Sequence, residues 1–352
     1  MQKYQNGFAH IILVILLLFV CTTVGLAAVY VFVRDKTTIL EGGYSWSTMK
    51  QGPYKDKVMY LTSTNPYSWS GKGAFLSEHA SVPDVLYKDG TLYVYFVDTS
   101  VDGKPEQIGI KTSKDNGITW SDTVFAEFEG IENKVPVDPA PYLLEDGRVR
   151  LYYYDIGRAS AKKSSSHTIY SAISNDGIHF KQEDGSRFTY DDIYDPDVFK
   201  FDDVWRLYVG TGDQKVLTAT STDGLTFTYE GVAYEGGAIP NVIKEGDDYI
   251  LYTGGIQIAT SSDGKTFTKS SHSYNSGGVT ADPGVVKLAD ELYFMAYKTS
   301  DNQPTEQPAS GVGQPNEQAP AGQNTTPSAP ANNGQQQLAP LDPNLPVQAP
   351  AQ

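Results

Sequence analysis

The sequence predicts an all-β fold, a five-bladed β-propeller closed by N-terminal strands and preceded by one transmembrane helix. Three observations predict it. Short runs alternate apolar and polar residues with a period of two and are broken by Asp/Gly turns, which is the pattern of antiparallel strands. One phrase, clearest from Tyr194 to Phe227, recurs along the chain at a spacing of roughly 40 to 60 residues, as propellers and other arrays do. Phe8 to Val33 is an almost unbroken apolar run.

In chain order, residues 1–7 form a short flank and 8–33 is long enough to cross a bilayer as a helix. A cleaved secretory signal would carry a shorter apolar core, so an uncleaved anchor is expected. Lys3 on one side and Arg34 and Lys36 on the other leave the orientation open on charge alone. The single cysteine, Cys21, lies inside this run, so no intrachain disulfide forms. Residues 34–54 read as a linker.

The propeller is expected over 55–300. Its five blade openings are Val82-Pro83-Asp84, Asp138-Pro139, Asp195-Pro196, Ile239-Pro240-Asn241 and Asp282-Pro283. Turns of the form Ser-x-Asp-(x)-Gly follow four of them, at Ser113 to Trp120, Ser174 to Phe180, Ser221 to Phe227 and Ser261 to Phe267. The fifth opening has no such turn, because the chain passes into polar sequence after Tyr297. A weakened copy stands at the other end, Ser63-Thr-Asn65-Pro-Tyr-Ser68-Trp69. The N-terminal segment is therefore expected to supply the outer strands of the last sheet, leaving no frayed blade. Residues 301–352 are rich in Pro, Gln, Asn and Ala and cannot bury enough apolar surface to offset ordering, so a disordered tail is expected.

The chain of 352 residues carries a formal charge of -15, with no Lys or Arg run, which excludes a nucleic-acid partner. The four histidines of the propeller region, His79, His167, His179 and His272, show no ligand spacing, so no metal site is expected from them. Calcium on the axis, held by Asp oxygens, stays open. No glycine-rich phosphate loop precedes a helix.

The Ser-x-Asp turns resemble the Asp boxes of sialidases and other glycan-handling propellers. Asp115, Asp176, Asp223 and Asp263 are placed to accept hydrogen bonds from turn amides, and the closing aromatic packs between sheets. They mark the fold and carry no chemistry. A sialidase would further need an N-terminal Arg-Ile-Pro motif and an arginine triad, which the five arginines 148, 150, 158, 187 and 206 do not provide.

The blade openings matter more, because the innermost strand of each blade lines the axis. Tyr194-Asp195-Pro196-Asp-Val-Phe with Trp205-Arg-Leu-Tyr resembles the Asp-Pro blade of glycoside hydrolase families 43 and 32. Glu235-Gly236-Gly237-Ala-Ile-Pro-Asn resembles their Glu-Gly-Pro blade. The resemblance implies Glu235 as general acid and Asp195 as the carboxylate that tunes it. The base expected at the first opening is replaced by Val82, which leaves Asp84 or Asp138 as substitutes, with Glu78 and His79 as nearby polar groups. Tyr194 and Tyr234 stand beside the proposed carboxylates and are candidates for stacking on a sugar; Asp282 and Asn241 add polar groups for substrate binding. The expected function is hydrolysis of a glycosidic bond on a carbohydrate outside the membrane. The alternative is a binding or interaction propeller without its catalytic base. No cofactor is implied.

Overall fold

The computed structural model describes residues 52–157, 166–201 and 203–300. The apolar run 8–33 and the tail 301–352 lie outside these residues, and among the described residues no helix is long and apolar enough to cross a membrane.

After a single helical turn at Gly52–Tyr54 the chain enters β1 (Asp56–Ser63) and β2 (Ala74–Glu78). Blade 1 follows as β3 (Ala80–Lys88), β4 (Thr91–Asp98), β5 (Gln107–Ser113) and β6 (Val124–Phe125), and β7 (Glu127–Glu129) then joins the outer edge of the next sheet. Blade 2 is β8 (Pro136–Leu143), β9 (Val149–Asp155), β10 (Ser166–Ser174) and β11 (His179–Gln182), flanked by β12 (Phe188–Asp191). Blade 3 is β13 (Ile193–Phe201), β14 (Val204–Thr211), β15 (Val216–Ser221) and β16 (Thr228–Tyr234). Blade 4 is β17 (Asn241–Glu245), β18 (Asp248–Thr253), β19 (Gln257–Ser261) and β20 (Thr268–Ser273). The last hairpin is β21 (Val279–Ala289) and β22 (Leu292–Ser300).

These strands form five sheets, and the fifth has the order β2-β1-β22-β21. The N-terminal strands thus complete the blade that the C-terminal hairpin begins, as the sequence predicts. β1 pairs along its whole length with β22, from Asp56 opposite Ser300 to Ser63 opposite Tyr293. The core resolves into five buried clusters, one at each junction between neighbouring blades. A sheet sandwiched on both faces needs apolar residues on both, which is why β9 is buried along its whole length.

The Ser-x-Asp turns fold as their residue types require. In blade 1, Asp115 accepts from the Thr119 amide at 2.8 Å and the Ser113 hydroxyl accepts from the Gly117 amide at 2.8 Å. Asp176, Asp223 and Asp263 accept in the same way from the amides of Ile178, Leu225 and Lys265. Three of these four turns are then grasped by the preceding blade. Tyr95, Tyr152 and Tyr208 donate to the carbonyls of Gly177, Gly224 and Gly264 at 2.9, 2.8 and 2.6 Å. The glycines adopt φ between 67° and 90°, where a side chain would be strained.

Candidate functional site at the propeller axis

The five blade openings meet around the axis. At each, the first residue of the X-Pro pair has a positive φ: 47° at Val82, 51° at Asp138, 48° at Asp195, 61° at Ile239 and 51° at Asp282. In blades 1, 2, 3 and 5 this pair forms a bulge in the innermost strand. A proline has no amide hydrogen for the ladder, and a bulge is where a strand tolerates that loss. For the β-branched Val82 and Ile239 this backbone is strained, by about 1–3 kcal/mol each. The ring geometry therefore persists where the carboxylate is missing.

Two tiers of side chains result. One holds Val82, Asp138, Asp195, Ile239 and Asp282; the other holds Asp84, Ala140, Asp197, Asn241 and Gly284. Both, with the five prolines, surround the axial cavity, to which only Ala140, Asp197 and Gly284 do not contribute lining. The cavity has a volume of about 20 Å³, room for a water-sized group and not for a sugar ring.

The Asp84 tier ties blades together. Asp197 accepts from the Val242 amide of blade 4 at 2.7 Å, and Asn241 accepts from the Val285 amide of blade 5 at 2.9 Å. Asn241 also donates to Asp84 at 3.2 Å, and Asp84 accepts from its own neighbour Val85 at 2.7 Å. Gly284 carries no side chain because an added Cβ would lie 2.6 Å from the Cα of Asp84. Burial pushes the carboxyls of Asp84 and Asp197 up, Asp197 to about 7, and the charge of Asp197 adds to the shift of Asp84.

The Asp195 amide donates to Asp138 at 3.4 Å across the blade 2 to blade 3 junction. Asp282 is 2 % exposed and meets Lys298 of β22 at 2.8 Å; Lys298 lies 3.9 Å from Asp56 of β1. Burial pushes Asp56 up to about 6 against the pull of Lys298, while the carboxylates of Asp282 and Asp56 hold the lysine well above its usual range despite its own burial. Burial pushes Asp138 up to about 7. Glu106, at the end of the loop between β4 and β5, is also pushed to about 7, by burial and then by the nearby charge of Asp138. The Tyr154 hydroxyl, on a residue 4 % exposed, has no hydrogen-bond partner among the described residues, and burial, then the charges of Asp138 and Asp155, push it up.

Of the residues singled out from sequence, Asp84, Asp138, Asp195, Asn241 and Asp282 come together here. Glu235 does not line the cavity: its side chain is 73 % exposed in the loop after β16, with Lys215 at 3.9 Å. The blade 4 ring position is Ile239, four residues further on. Tyr194 precedes Asp195 on the innermost strand and Tyr234 ends the outer strand β16; neither lines the cavity, and they are 7 % and 6 % exposed in the core. Sequence reasoning missed Asp56, Glu106, Tyr154, Asp197 and Lys298. Lys298 had a usable signal, a lone cation in the apolar strand β22 opposite Ala281 in the hairpin register.

An all-β five-bladed propeller with a polar axial well defines the class. Among solved structures the chain is similar to a Bombyx mori family 32 β-fructofuranosidase mutant in complex with sucrose, with a TM-score of 0.51, 17 % identity, and 79 % of this chain covering 62 % of that one. It is also similar to an α-L-arabinofuranosidase of family 43 from Clostridium thermocellum (TM-score 0.48, 16 % identity, 61 % of this chain and 80 % of that chain). A family 43 enzyme from Xanthomonas citri complexed with xylotriose matches with a TM-score of 0.47 and 15 % identity, over 63 % of this chain and 86 % of that chain. At these identities the likeness shows the fold, a glycoside-hydrolase-like propeller, and the chain spans 62 % of the length of the silkworm enzyme. No family model matches the sequence, and no curated protein is similar to it.

Proposed function

We propose that this chain is a carbohydrate-recognising propeller that keeps a glycoside-hydrolase-like frame and does not hydrolyse its ligand. The observation that carries this reading is the pair Val82 and Ile239, apolar residues at two of the five ring positions. Acid/base hydrolysis needs two carboxyl groups roughly 5 to 9.5 Å apart across one sugar-sized pocket. Here the first blade offers no carboxylate in that tier, the fourth offers none, and Glu235 stands in solvent beside Lys215.

One observation favours the hydrolytic alternative. Burial pushes the carboxyls of Asp138 and Glu106 up to about 7, beside the salt bridge of Asp282 and Lys298, and a carboxyl that titrates near neutrality suits acid/base work. In that reading Asp138 or Asp84 serves as base, Asp195 tunes the acid, and Glu235 or Glu106 donates the proton.

The test is the purified full-length chain against aryl glycosides and a glycan array, with Glu235→Gln and Asp138→Asn in parallel. Glycan binding without turnover supports the recognition reading. Turnover abolished by either substitution establishes the hydrolase and removes it.

We also place the chain at a membrane, held by residues 8–33 with the propeller outside the cytoplasm, on the strength of that apolar run and of the carbohydrate ligand. Resistance of the chain to alkaline extraction and digestion of the propeller by protease added to intact cells are the expected results.

A further inference from the structure

We infer that the propeller is held with its axial face towards the bilayer, so that the membrane surface is what this face meets. This rests on the membrane placement proposed above and adds which face is presented. A carbohydrate recognised at the blade openings is then one carried at the membrane.

The axial face is set by where the blade openings stand. Val82, Asp138 and Asp195 are each the third residue of the innermost strand of their blade, Asp282 is the fourth of β21, and Ile239 lies two residues before β17 begins. The cavity they line is therefore at the starting end of the innermost strands. The opposite end carries the turns into the second strands, such as residues 89–90 and 246–247.

The chain enters at the starting end. β1 begins at Asp56, which stands opposite Ser300, and Ser300 stands opposite Val279, the first residue of β21. Asp56 is thus level with the start of the innermost strand of blade 5 and two strands out from it, about 10 Å at the usual strand spacing. Contacts on both sides fix it there. Lys298 lies 2.8 Å from Asp282 and 3.9 Å from Asp56, and the Ser81 hydroxyl of blade 1 donates to Asp56 at 2.9 Å. The turn before it is held as well: Tyr54 is buried, and its carbonyl stands 2.9 Å from Nδ1 of His79, the residue before β3. The entry cannot swing to the other end without undoing the seam that closes the ring.

Length then decides which face the bilayer meets. Residues 34–51 join the apolar run to Gly52. Those roughly 18 residues would span about 27 Å as a helix, about 23 Å as a random chain and about 60 Å fully extended. To bring the far face to the bilayer they would have to pass β2 and run the height of the blade, about 36 Å for the 11 residues of β21. A helical or random segment falls short of that, and only a nearly stretched one reaches. The axial face needs no such detour.

The experiment is energy transfer from one fluorophore on the full-length chain to an acceptor-labelled lipid in phosphatidylcholine vesicles. Cys21 is the only cysteine of the chain, so a Cys21→Ser background lets a second substitution label one face at a time. Asp102→Cys lies in the loop between β4 and β5, on the axial face because Asp98 at its start pairs with Ala80; Asp247→Cys lies in the turn between β17 and β18 on the far face. Both residues are exposed, and thermal melts establish that the variants are folded. Transfer from position 102 is expected to be at least about two-fold more efficient than from position 247. Inserting about 40 Gly/Ser residues within 34–51 should shrink the difference, because the random span then exceeds the height of the blade. Equal transfer, or more from position 247, overturns the inference while vesicle association leaves the membrane placement standing. A chain that does not float with the vesicles overturns both. A difference that survives the insertion overturns the tether as its cause.

Discussion

The hydroxyl of Tyr252 donates to the carbonyl of Pro66 at 2.6 Å, joining residues 186 positions apart. Tyr95, Tyr152 and Tyr208 make the same contact to the glycine of the next turn. In the last junction the blade 5 residue is Phe294, which packs its ring on Gly117 without a hydroxyl to donate. Tyr252 and Pro66 are therefore the blade 4 to blade 5 member of one repeated contact, and the segment Ser63 to Trp69 is the fifth turn in its spatial place.

Tyr252→Phe is expected to destabilise the ring by about 0.5–1.5 kcal/mol, the net worth of one hydrogen bond. The loss should fall at the low end, because the Pro66 carbonyl keeps a second donor, the Trp69 indole nitrogen at 2.9 Å. Tyr208→Phe, whose Gly264 carbonyl has no second donor of that kind, should cost more. Urea midpoints at unchanged slope check the order.

Gly284→Ala is expected to be more harmful than any of these. The added Cβ would lie 2.6 Å from the Asp84 Cα and 2.8 Å from the Pro83 carbonyl, both backbone atoms that cannot swing aside. Overpacking of this kind costs about 1–3 kcal/mol or more and should move the β21 to β3 contact first. A melt of the variant within 1 °C of the parent would show that the two strands separate more easily than their spacing implies.

The blades were legible because their signals are local. Alternation, Asp/Gly turns and the X-Pro pairs each lie within a few residues, and Asn65 in place of Asp still accepts from the Tyr67 amide at 2.8 Å. The axial ring was half legible for the same reason: Asp138, Asp195 and Asp282 declare themselves by their proline. Val82 and Ile239 take the same backbone with no polar side chain to reveal it. Glu235 resembles a catalytic motif four residues before Ile239, and only the three-dimensional ring separates motif from position. Lys298, on a second strand, joins Asp282 to Asp56 on a closing strand, so their meeting is set by closure of the ring and not by any spacing in the chain.

Lys298→Met is expected to destabilise by about 3–5 kcal/mol, since it strands Asp282 and Asp56 in the well without their cation. Removing Asp282 as well, in Lys298→Met with Asp282→Asn, should recover part of that loss. The double-mutant cycle measures the coupling. Two losses that simply add would mean that the lysine acts on some group other than Asp282.

Stability should fall as pH rises from about 4 towards about 7, and Asp197 together with Asp84 should contribute to the fall. Burial raises the folded-state pKa of Asp197 to about 7 and that of Asp84 in the same direction, while an unfolded Asp titrates near about 3.9. Between those values the folded state holds more protons than the unfolded one, so the free energy of unfolding decreases as pH increases. The contribution is fully present below about 4 and is lost by the time pH passes about 7. Asp115 opposes this at the acid end, because hydrogen bonds from Thr119 lower its pKa to about 2, so its stabilising effect is lost as pH falls from about 4 towards 2. The melting temperature is thus expected to peak in mildly acidic buffer and to decline towards pH 8 by several degrees, each kcal/mol being worth about 2–4 °C for a domain of this size. Asp197→Asn removes one titrating group and, because an amide oxygen still accepts from Val242, should flatten that decline. A decline of unchanged slope in Asp197→Asn and Asp84→Asn alike would assign the pH response to Asp138 and Glu106 instead.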